Sequence, residues 1–291
     1  MGSELRQLSR EGLKELGTGR SATVYALSDK EVLKVFLPSY SVDKIRDEYE
    51  ITRKVSEAGI RCAKAIELVE VEGRPAVIYE RISADNIGAA MFTAMREHDD
   101  KDLTELVDYY VSFMKKLHSI ELPEGYFPDI RKRFADRARA LSGIRFDEAH
   151  SKKIIDWLES EPVTCHYLHG DFNPTNVPVM GPDPVLFDVG DAALGDPVFE
   201  FAFMNCADLM EKIRKGMLED LYGLTLEMVD TLREKVYERY YEGESEESMN
   251  DIRNRAHIAG NIYLLTMELG LTEYTDEIRQ FFNAMIDQIL P

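Results

Sequence analysis

The sequence predicts an α+β protein of two lobes: a small N-terminal antiparallel β-sheet with one helix, and a larger, mainly helical C-terminal part. The chain has 291 residues, about twice the length of a typical single domain. Its beginning contains short β-like runs separated by turn residues. The remainder has apolar residues at the spacing of amphipathic helices.

Four β-like runs in the N-terminal part predict two hairpins. The runs lie at residues 24–27, 32–37, 65–71 and 76–79. Ser28-Asp29-Lys30 separates the first two, and Glu72-Gly73-Arg74-Pro75 separates the last two. Between the hairpins, the charged and amphipathic residues 42–58 are followed by Gly59, which predicts a helix with a glycine stop.

The C-terminal part shows helical periodicity with one interruption. Apolar residues recur every three or four positions at Leu103, Leu106, Tyr110, Phe113 and Leu117, and again at Leu226, Val229, Leu232, Val236 and Tyr240. The interruption, residues 163–187, holds two short apolar runs among Asn, Pro, Gly and Asp. We therefore predict an N-terminal lobe of residues 1–82 and a helical lobe of residues 83–291.

The composition excludes several classes of protein. With 54 acidic and 35 basic residues the formal net charge is -19, which disfavours nucleic acid and anionic membranes as partners. The start of the chain lacks an apolar signal segment and no long apolar run follows, so we expect a cytoplasmic protein. Three separated cysteines suggest neither a disulfide framework nor a zinc site.

A glycine loop, a lysine and a glutamate in the N-terminal part suggest phosphate binding. Gly17 and Gly19 would let backbone N–H groups approach a nucleotide phosphate, although a plain hairpin turn has the same residues. Lys34 follows in a strand, and Glu48 in the predicted helix is its candidate partner. A solvent-facing lysine remains an alternative, and Asp47 and Glu50 compete with Glu48.

The residues with the clearest chemistry are in HGDFNPTN, residues 169–176, and in FDVGD, residues 187–191. Asp171, Asn176 and Asp188 can converge if a short hairpin joins the two motifs. Phosphoryl transfer needs a base for the acceptor hydroxyl and oxygen ligands for Mg²⁺. We assign Asp171 as the base and Asn176 and Asp188 as the metal ligands. Turn formation explains each residue singly but not the ordered set.

These motifs, with LFDVGDAALGDP, resemble the signature of the aminoglycoside phosphotransferase and choline kinase superfamily. The resemblance implies a two-lobe protein-kinase-like fold that binds ATP or GTP, with the base contacting the backbone of residues 79–82, including Glu80 and Ile82. By position Lys34 resembles the phosphate-binding lysine and Glu48 its ion-pair partner. His169 resembles a structural histidine, and Asp196 a residue that supports the catalytic segment.

The resemblance implies transfer of the γ-phosphate of a nucleoside triphosphate to a hydroxyl of a small, cationic molecule, with Mg²⁺ as cofactor. The alternatives are a choline, ethanolamine, thiamine or sugar kinase and a non-catalytic nucleotide-binding relative. A protein kinase fits less well, since glycine follows the motif histidine where protein kinases place arginine. Candidate acceptor ligands are Glu268, Glu273, Asp276, Glu277, the acidic residues 242–251, and a cage of Tyr240, Tyr241, Tyr263 and Tyr274. The oligomeric state is not indicated.

Overall fold

The computed structural model of the chain describes residues 5–19, 21–82, 85–179, 184–267 and 274–290. The chain forms two compact units. Unit 1 contains Met1–Ile87 and Thr175–Ala192, and unit 2 contains Gly88–Pro174 and Ala193–Pro291. The sequence predicted lobes of residues 1–82 and 83–291. The structure adds the later segment, residues 175–192, to the first unit.

Unit 1 contains a six-stranded sheet with the order β1-β5-β6-β4-β3-β2. The strands are β1 (Gln7–Leu8), β2 (Lys14–Thr18), β3 (Ala22–Ala26), β4 (Glu31–Phe36), β5 (Ala65–Val71) and β6 (Arg74–Glu80). Neighbouring strands pair antiparallel, except that β1 lies parallel to β5. The four predicted runs correspond to β3, β4, β5 and β6, and the predicted antiparallel sheet is confirmed.

One helix, α1 (Val42–Glu57), packs on a face of this sheet. It begins after Ser41, whose hydroxyl accepts a hydrogen bond from the first turn. Its buried residues recur every three or four positions: Ile45, Glu48, Thr52 and Val55. Side chains two apart in a strand share a face, and Phe36 of β4 packs in one cluster with Ile45. Lys34 therefore also lies on the α1 side of the sheet.

The segment 175–192 joins unit 1 through backbone hydrogen bonds. Ala63 N–H donates to the Leu186 carbonyl at 3.2 Å, and Leu186 N–H donates to the Arg61 carbonyl at 3.0 Å. A 3₁₀ turn, Val189–Asp191, then packs on α1. The structure thus contains a strand bridge between residues 62 and 186. The short hairpin expected between the two motifs includes residues 180–183, which lie outside the described residues.

Unit 2 is mainly helical, which confirms the predicted α+β class. Its helices are α2 (Gly88–Glu97), α3 (Asp100–His118), α4 (Ile130–Leu141), α5 (Glu148–Ser160), α6 (Ala202–Asn205), α7 (Ala207–Ile213), α8 (Met217–Tyr222), α9 (Leu226–Tyr240), α10 (Glu246–Thr266) and α11 (Asp276–Ile289). The two-residue strands β7 (Tyr167–Leu168) and β8 (Ala193–Leu194) pair antiparallel. The two helices predicted from apolar spacing are α3 and α9, which pack on each other. Within the described ranges, every helix is too short or too polar to cross a bilayer.

Candidate active site

Three charged side chains meet in unit 1 although they are far apart in the sequence. The Lys34 ammonium donates to Glu48 Oε1 at 2.7 Å and to Asp188 Oδ1 at 3.0 Å. Glu48 Oε1 also accepts from the Tyr79 hydroxyl at 2.9 Å. The side chains of Lys34 and Glu48 are 14% and 8% exposed, whereas that of Asp188 is 52% exposed. The cluster therefore has a buried side and an open side, and Asp188 lies on the open side.

Packing selects Glu48 over its neighbours as the partner of Lys34. Asp47 and Glu50 are exposed, whereas Glu48 lies on the buried stripe of α1. Burial alone would lower the pKa of Lys34, but the carboxylates of Asp188 and Glu48 outweigh it. The pKa of Lys34 is therefore well above its ordinary value. The cluster holds a permanent ammonium beside the half-exposed carboxylate of Asp188.

The backbone around Asp188 is unusual in two respects. Asp188 has φ 50° and ψ 54°, the left-handed conformation that aspartate and asparagine adopt more readily than most residues. Two residues later, Gly190 lies against Glu48. A Cβ at position 190 would be 2.3 Å from Glu48 Cγ and 3.0 Å from Glu48 Cδ. A glycine is therefore required for the close approach of this turn to α1.

Asn176 and Asp188 lie in the same unit and are joined through the backbone. The Asn176 carbonyl accepts a hydrogen bond from the N–H of Phe187 at 3.3 Å, the residue before Asp188. Their side chains offer an amide oxygen and a carboxylate, the hard oxygen donors that Mg²⁺ prefers. Among the described residues no group of three or more His, Cys, Asp or Glu side chains forms a metal cluster. The donor chemistry fits a magnesium ion held by a small protein ligand set with substrate oxygens.

The glycine loop lies in β2 and the turn before β3. The β2–β3 pairing shifts register between Glu15 and Gly17, and Gly19 N–H donates to the Ala22 carbonyl at 2.9 Å. A Cβ at Gly17 would meet nothing within 4 Å, and one at Gly19 would meet only the Ala22 carbonyl at 3.8 Å. Neither glycine has a positive φ. The conformation of unit 1 itself does not require glycine at these positions.

The strand end expected to contact the nucleotide base is β6. Glu80 N–H donates to the Lys64 carbonyl at 2.9 Å, and its carboxylate forms a two-point pair with Arg61 at 2.8 and 3.1 Å. The hydrogen bonds that Arg61 donates to the carboxylate lower the pKa of Glu80 below its usual range. The Glu80 side chain is thus engaged within unit 1. Ile82, two residues on, is half-buried.

Asp171 lies in unit 2, on a loop whose aromatic residue is buried against α3. The Tyr110 hydroxyl donates to the Phe172 carbonyl, and the two rings lie 4.9 Å apart. Asp171 N–H donates to Nδ1 of the buried His169 at 3.3 Å, and the Asn173 side-chain amide donates to Asp171 Oδ1 at 3.1 Å. The Asp171 side chain and backbone are therefore both held by neighbours in the segment 169–176.

Glu200 is a buried partner of this segment that the sequence interpretation missed. The residue is 3% exposed, and its carboxylate accepts hydrogen bonds from His169 N–H at 2.6 Å and Gly170 N–H at 2.9 Å. Asp196 was expected to support this segment. Asp196 pairs with Arg255 at 2.8 Å and accepts from Val198 N–H at 2.9 Å, at the start of the 3₁₀ turn Pro197–Phe201 that contains Glu200. The signal was present in the sequence, since an acid inside the apolar run VFEF needs buried donors.

Among the described residues, the four tyrosines expected to form an acceptor cage contact different neighbours. Tyr240 and Tyr241 pack together with rings 4.7 Å apart, whereas the Tyr274 hydroxyl accepts from Arg145 and Tyr263 packs against Phe134. Asp276 is exposed and pairs with Arg279 on its own helix, and Glu277 is exposed. The acids of residues 242–251 are mostly exposed. Glu268 and Glu273 lie outside the described residues.

A family model described as the phosphotransferase enzyme family (APH) matches residues 12–234. By sequence, no curated protein matches the chain. Solved structures match over nearly the whole chain. The gentamicin complex of APH(2'')-IIa has a TM-score of 0.61 and 17% identity, over 96% of this chain and 91% of that one. ADP-bound aminoglycoside phosphotransferase APH(2'')-Ib has a TM-score of 0.58 and 16% identity, with coverages of 96% and 93%.

A choline/ethanolamine kinase family protein from Mesorhizobium loti is a more distant match. Its TM-score is 0.53 and its identity 13%, over 95% of this chain and 87% of that chain. At these identities the solved structures show the fold, which is the predicted protein-kinase-like fold of this superfamily.

Proposed function

The chain belongs to the phosphotransferase enzyme family, and from that membership we propose that it transfers the γ-phosphate of ATP or GTP to a hydroxyl of a small cationic molecule. The observation that carries the proposal is the Lys34 ammonium, held 2.7 Å from Glu48 and 3.0 Å from Asp188. A buried, permanently charged ammonium beside a half-exposed carboxylate suits a site that binds both phosphate oxygens and a cation.

Unit 1 supplies the nucleotide-binding groups in this proposal. Gly17 and Gly19 let the backbone approach the phosphates, and Lys34, oriented by Glu48, neutralises their charge. The backbone of residues 79–82 contacts the base. Asn176 and Asp188 would hold Mg²⁺, which when bound supplies positive charge to the phosphate oxygens.

Asp171 is the proposed base for the acceptor hydroxyl. Its carboxylate accepts the hydroxyl proton while the acceptor oxygen forms a bond to the γ-phosphorus. The bond from that phosphorus to the β–γ bridging oxygen breaks, and the nucleoside diphosphate leaves. Catalysis then consists of positioning and charge stabilisation. Asn173 donates to Asp171 Oδ1, which keeps that carboxylate in one orientation.

The acceptor class rests on charge and on the relatives. A chain of net charge -19 attracts cations, and one solved neighbour is a gentamicin complex. An aminoglycoside-like polyamine is therefore our first candidate. The choline/ethanolamine kinase neighbour favours choline or ethanolamine as the second candidate.

The test is a nucleotide-turnover screen. Mg-ATP and Mg-GTP are each combined with kanamycin, gentamicin, streptomycin, choline, ethanolamine, thiamine and simple sugars, and nucleoside diphosphate release is measured. Asp171→Asn keeps the size of the side chain and removes the base. We expect it to bind nucleotide like the wild type and to lose transfer by at least about 100-fold. A variant that transfers at the wild-type rate would remove Asp171 from this role. Wild-type protein that neither binds nor turns over nucleotide would refute the proposal.

A further inference from the structure

Tyr79 brings a further polar group to the pair formed by Lys34 and Glu48. Its hydroxyl donates to Glu48 Oε1 at 2.9 Å, and the Lys34 ammonium donates to the same oxygen at 2.7 Å. Because both donors meet on one oxygen, a rotation of the carboxylate would break both hydrogen bonds. Glu48, which belongs to α1, is therefore held by two strands of the sheet, β4 and β6.

The register of the sheet places Tyr79 and Lys34 on the same face. Lys34 of β4 pairs with Val77 of β6, and Tyr79 lies two residues further along β6. The Lys34 ammonium is 6.0 Å from the centre of the Tyr79 ring and 5.2 Å from the centre of the Phe36 ring. Both distances are within the range of cation–π attraction, about 6 Å. Tyr79 thus contacts Lys34 through its ring and Glu48 through its hydroxyl.

The Tyr79 hydroxyl keeps its proton and is the donor. Burial and the neighbouring Glu48 carboxylate hold the pKa of Tyr79 well above its ordinary value. An ionised carboxylate only accepts, so the hydrogen bond runs from Tyr79 to Glu48. Burial raises the pKa of Glu48, whereas the charge of Lys34 and the hydrogen bonds from Lys34 and Tyr79 lower it. The hydroxyl therefore stabilises the ionised carboxylate that pairs with Lys34.

We propose that Tyr79 is a positioning residue for phosphate binding, which holds Glu48 and, through Glu48, the ammonium of Lys34. The inference rests on the proposed function, because it takes Lys34 as the group that contacts the nucleotide phosphates. An ammonium has three N–H donors, so Lys34 can donate to a phosphate oxygen while it stays bound to Glu48 and Asp188. The Tyr79 hydroxyl acts on Glu48 and not on the nucleotide.

The first test measures how the effect of Tyr79→Phe depends on the phosphates of the ligand. The variant removes the hydroxyl and keeps the ring. Kd is measured by titration calorimetry for Mg-ATP and Mg-GTP, and for adenosine and guanosine, which carry the same bases without phosphate. We expect the Kd of the triphosphate that the wild type binds more tightly to rise about 5- to 10-fold. The Kd of the matching nucleoside should stay within about twofold of the wild type.

Two results of this measurement would overturn the proposal. An unchanged triphosphate Kd would show that the hydroxyl does not affect phosphate binding. Equal rises for the triphosphate and the nucleoside would show that Tyr79 acts on the base or on the fold of unit 1 as a whole. A merely structural tyrosine would not produce an effect that depends on the phosphates.

The second test asks whether the effect passes through Glu48. In a Glu48→Ala background, Tyr79→Phe should change the triphosphate Kd less than about twofold, because the oxygen that accepts from Tyr79 is already gone. Tyr237→Phe is the matched control. It removes another buried tyrosine hydroxyl, whose partner is Asn205 at 2.7 and 2.9 Å, and should leave the triphosphate Kd within about twofold. A full effect of Tyr79→Phe without Glu48, or an equal rise for Tyr237→Phe, would contradict the proposal.

A third readout needs no nucleotide. By urea unfolding, Tyr79→Phe should lower the equilibrium constant for folding about tenfold in the wild type and at most about twofold in Glu48→Ala. Equal losses in the two backgrounds would overturn the proposal, since no hydrogen bond would then link Tyr79 to Glu48. A wild-type protein that binds neither Mg-ATP nor Mg-GTP would instead refute the proposed function, and unfolding would still report the hydrogen bond.

Discussion

The close approach of Gly190 to Glu48 gives the sharpest prediction. A Cβ at position 190 would lie 2.3 Å from Glu48 Cγ, 3.0 Å from Cδ and 3.3 Å from Cβ. Carbon atoms normally contact at about 3.5–4.0 Å. In Gly190→Ala the turn and the glutamate must therefore separate by about 1.2 Å, the difference between roughly 3.5 Å and 2.3 Å.

Both ways of relieving this overlap disturb the Lys34 cluster. If Glu48 rotates away, it loses its hydrogen bonds to Lys34 and Tyr79, each of which contributes about 1–3 kcal/mol when a charged group is involved. If the turn moves instead, Asp188 is displaced from Lys34. Overpacking of this size costs about 1–3 kcal/mol of unfolding free energy. We also expect the Kd for Mg-ATP or Mg-GTP to rise about tenfold, which corresponds to about 1.4 kcal/mol.

Urea unfolding and titration calorimetry measure the two effects, and a double-mutant cycle assigns them. Once Glu48→Ala has removed Cγ and Cδ, the nearest atom is Cβ at 3.3 Å, which small shifts accommodate. In that background Gly190→Ala should cost less than about 0.5 kcal/mol. An undiminished cost there would show that the overlap with Glu48 is not the cause.

Two further predictions concern the glycine loop and His150 of α5. Gly17→Ala should leave stability within about 0.5 kcal/mol of the wild type, since a Cβ there meets nothing within 4 Å, but should raise the nucleotide Kd about tenfold by calorimetry. An unchanged Kd would argue against phosphate contact. Burial alone would lower the pKa of His150. Its hydrogen bonds to the carboxylates of Asp147 at 2.6 Å and Asp287 at 3.3 Å outweigh burial, so the pKa of His150 is raised. The resulting stabilisation is present below the unfolded pKa, about 6.5, and is lost as pH rises through the raised folded value. The Tm difference between wild type and His150→Gln should therefore be larger near pH 5.5 than near pH 8.5, and a difference independent of pH would contradict this.

Prediction from sequence succeeded where the signal is local. The strands, α1, α3 and α9 follow from apolar spacing and turn residues, because periodicity reports which side of an element is buried. The motifs around Asp171 and Asp188 singled out candidate residues by their chemistry, and their roles await the Asp171→Asn measurement. The short hairpin expected before Asp188 stays a prediction, since it includes residues that lie outside the described part of the chain.

The amino-acid sequence by itself determined the α+β class and an ordered set of acids, an amide and a lysine suited to phosphoryl transfer. Tertiary structure alone decided that Lys34 contacts Asp188, 154 residues away, and that Glu48 rather than Asp47 is its partner. It also decided that Glu200 accepts hydrogen bonds from the backbone amides of His169 and Gly170, the two residues before Asp171. The physical reason is that a buried charge is satisfied by whichever hydrogen-bond partners the packing of distant elements brings within about 3 Å. Contacts between residues far apart in the sequence produce no repeating pattern from which they could be predicted.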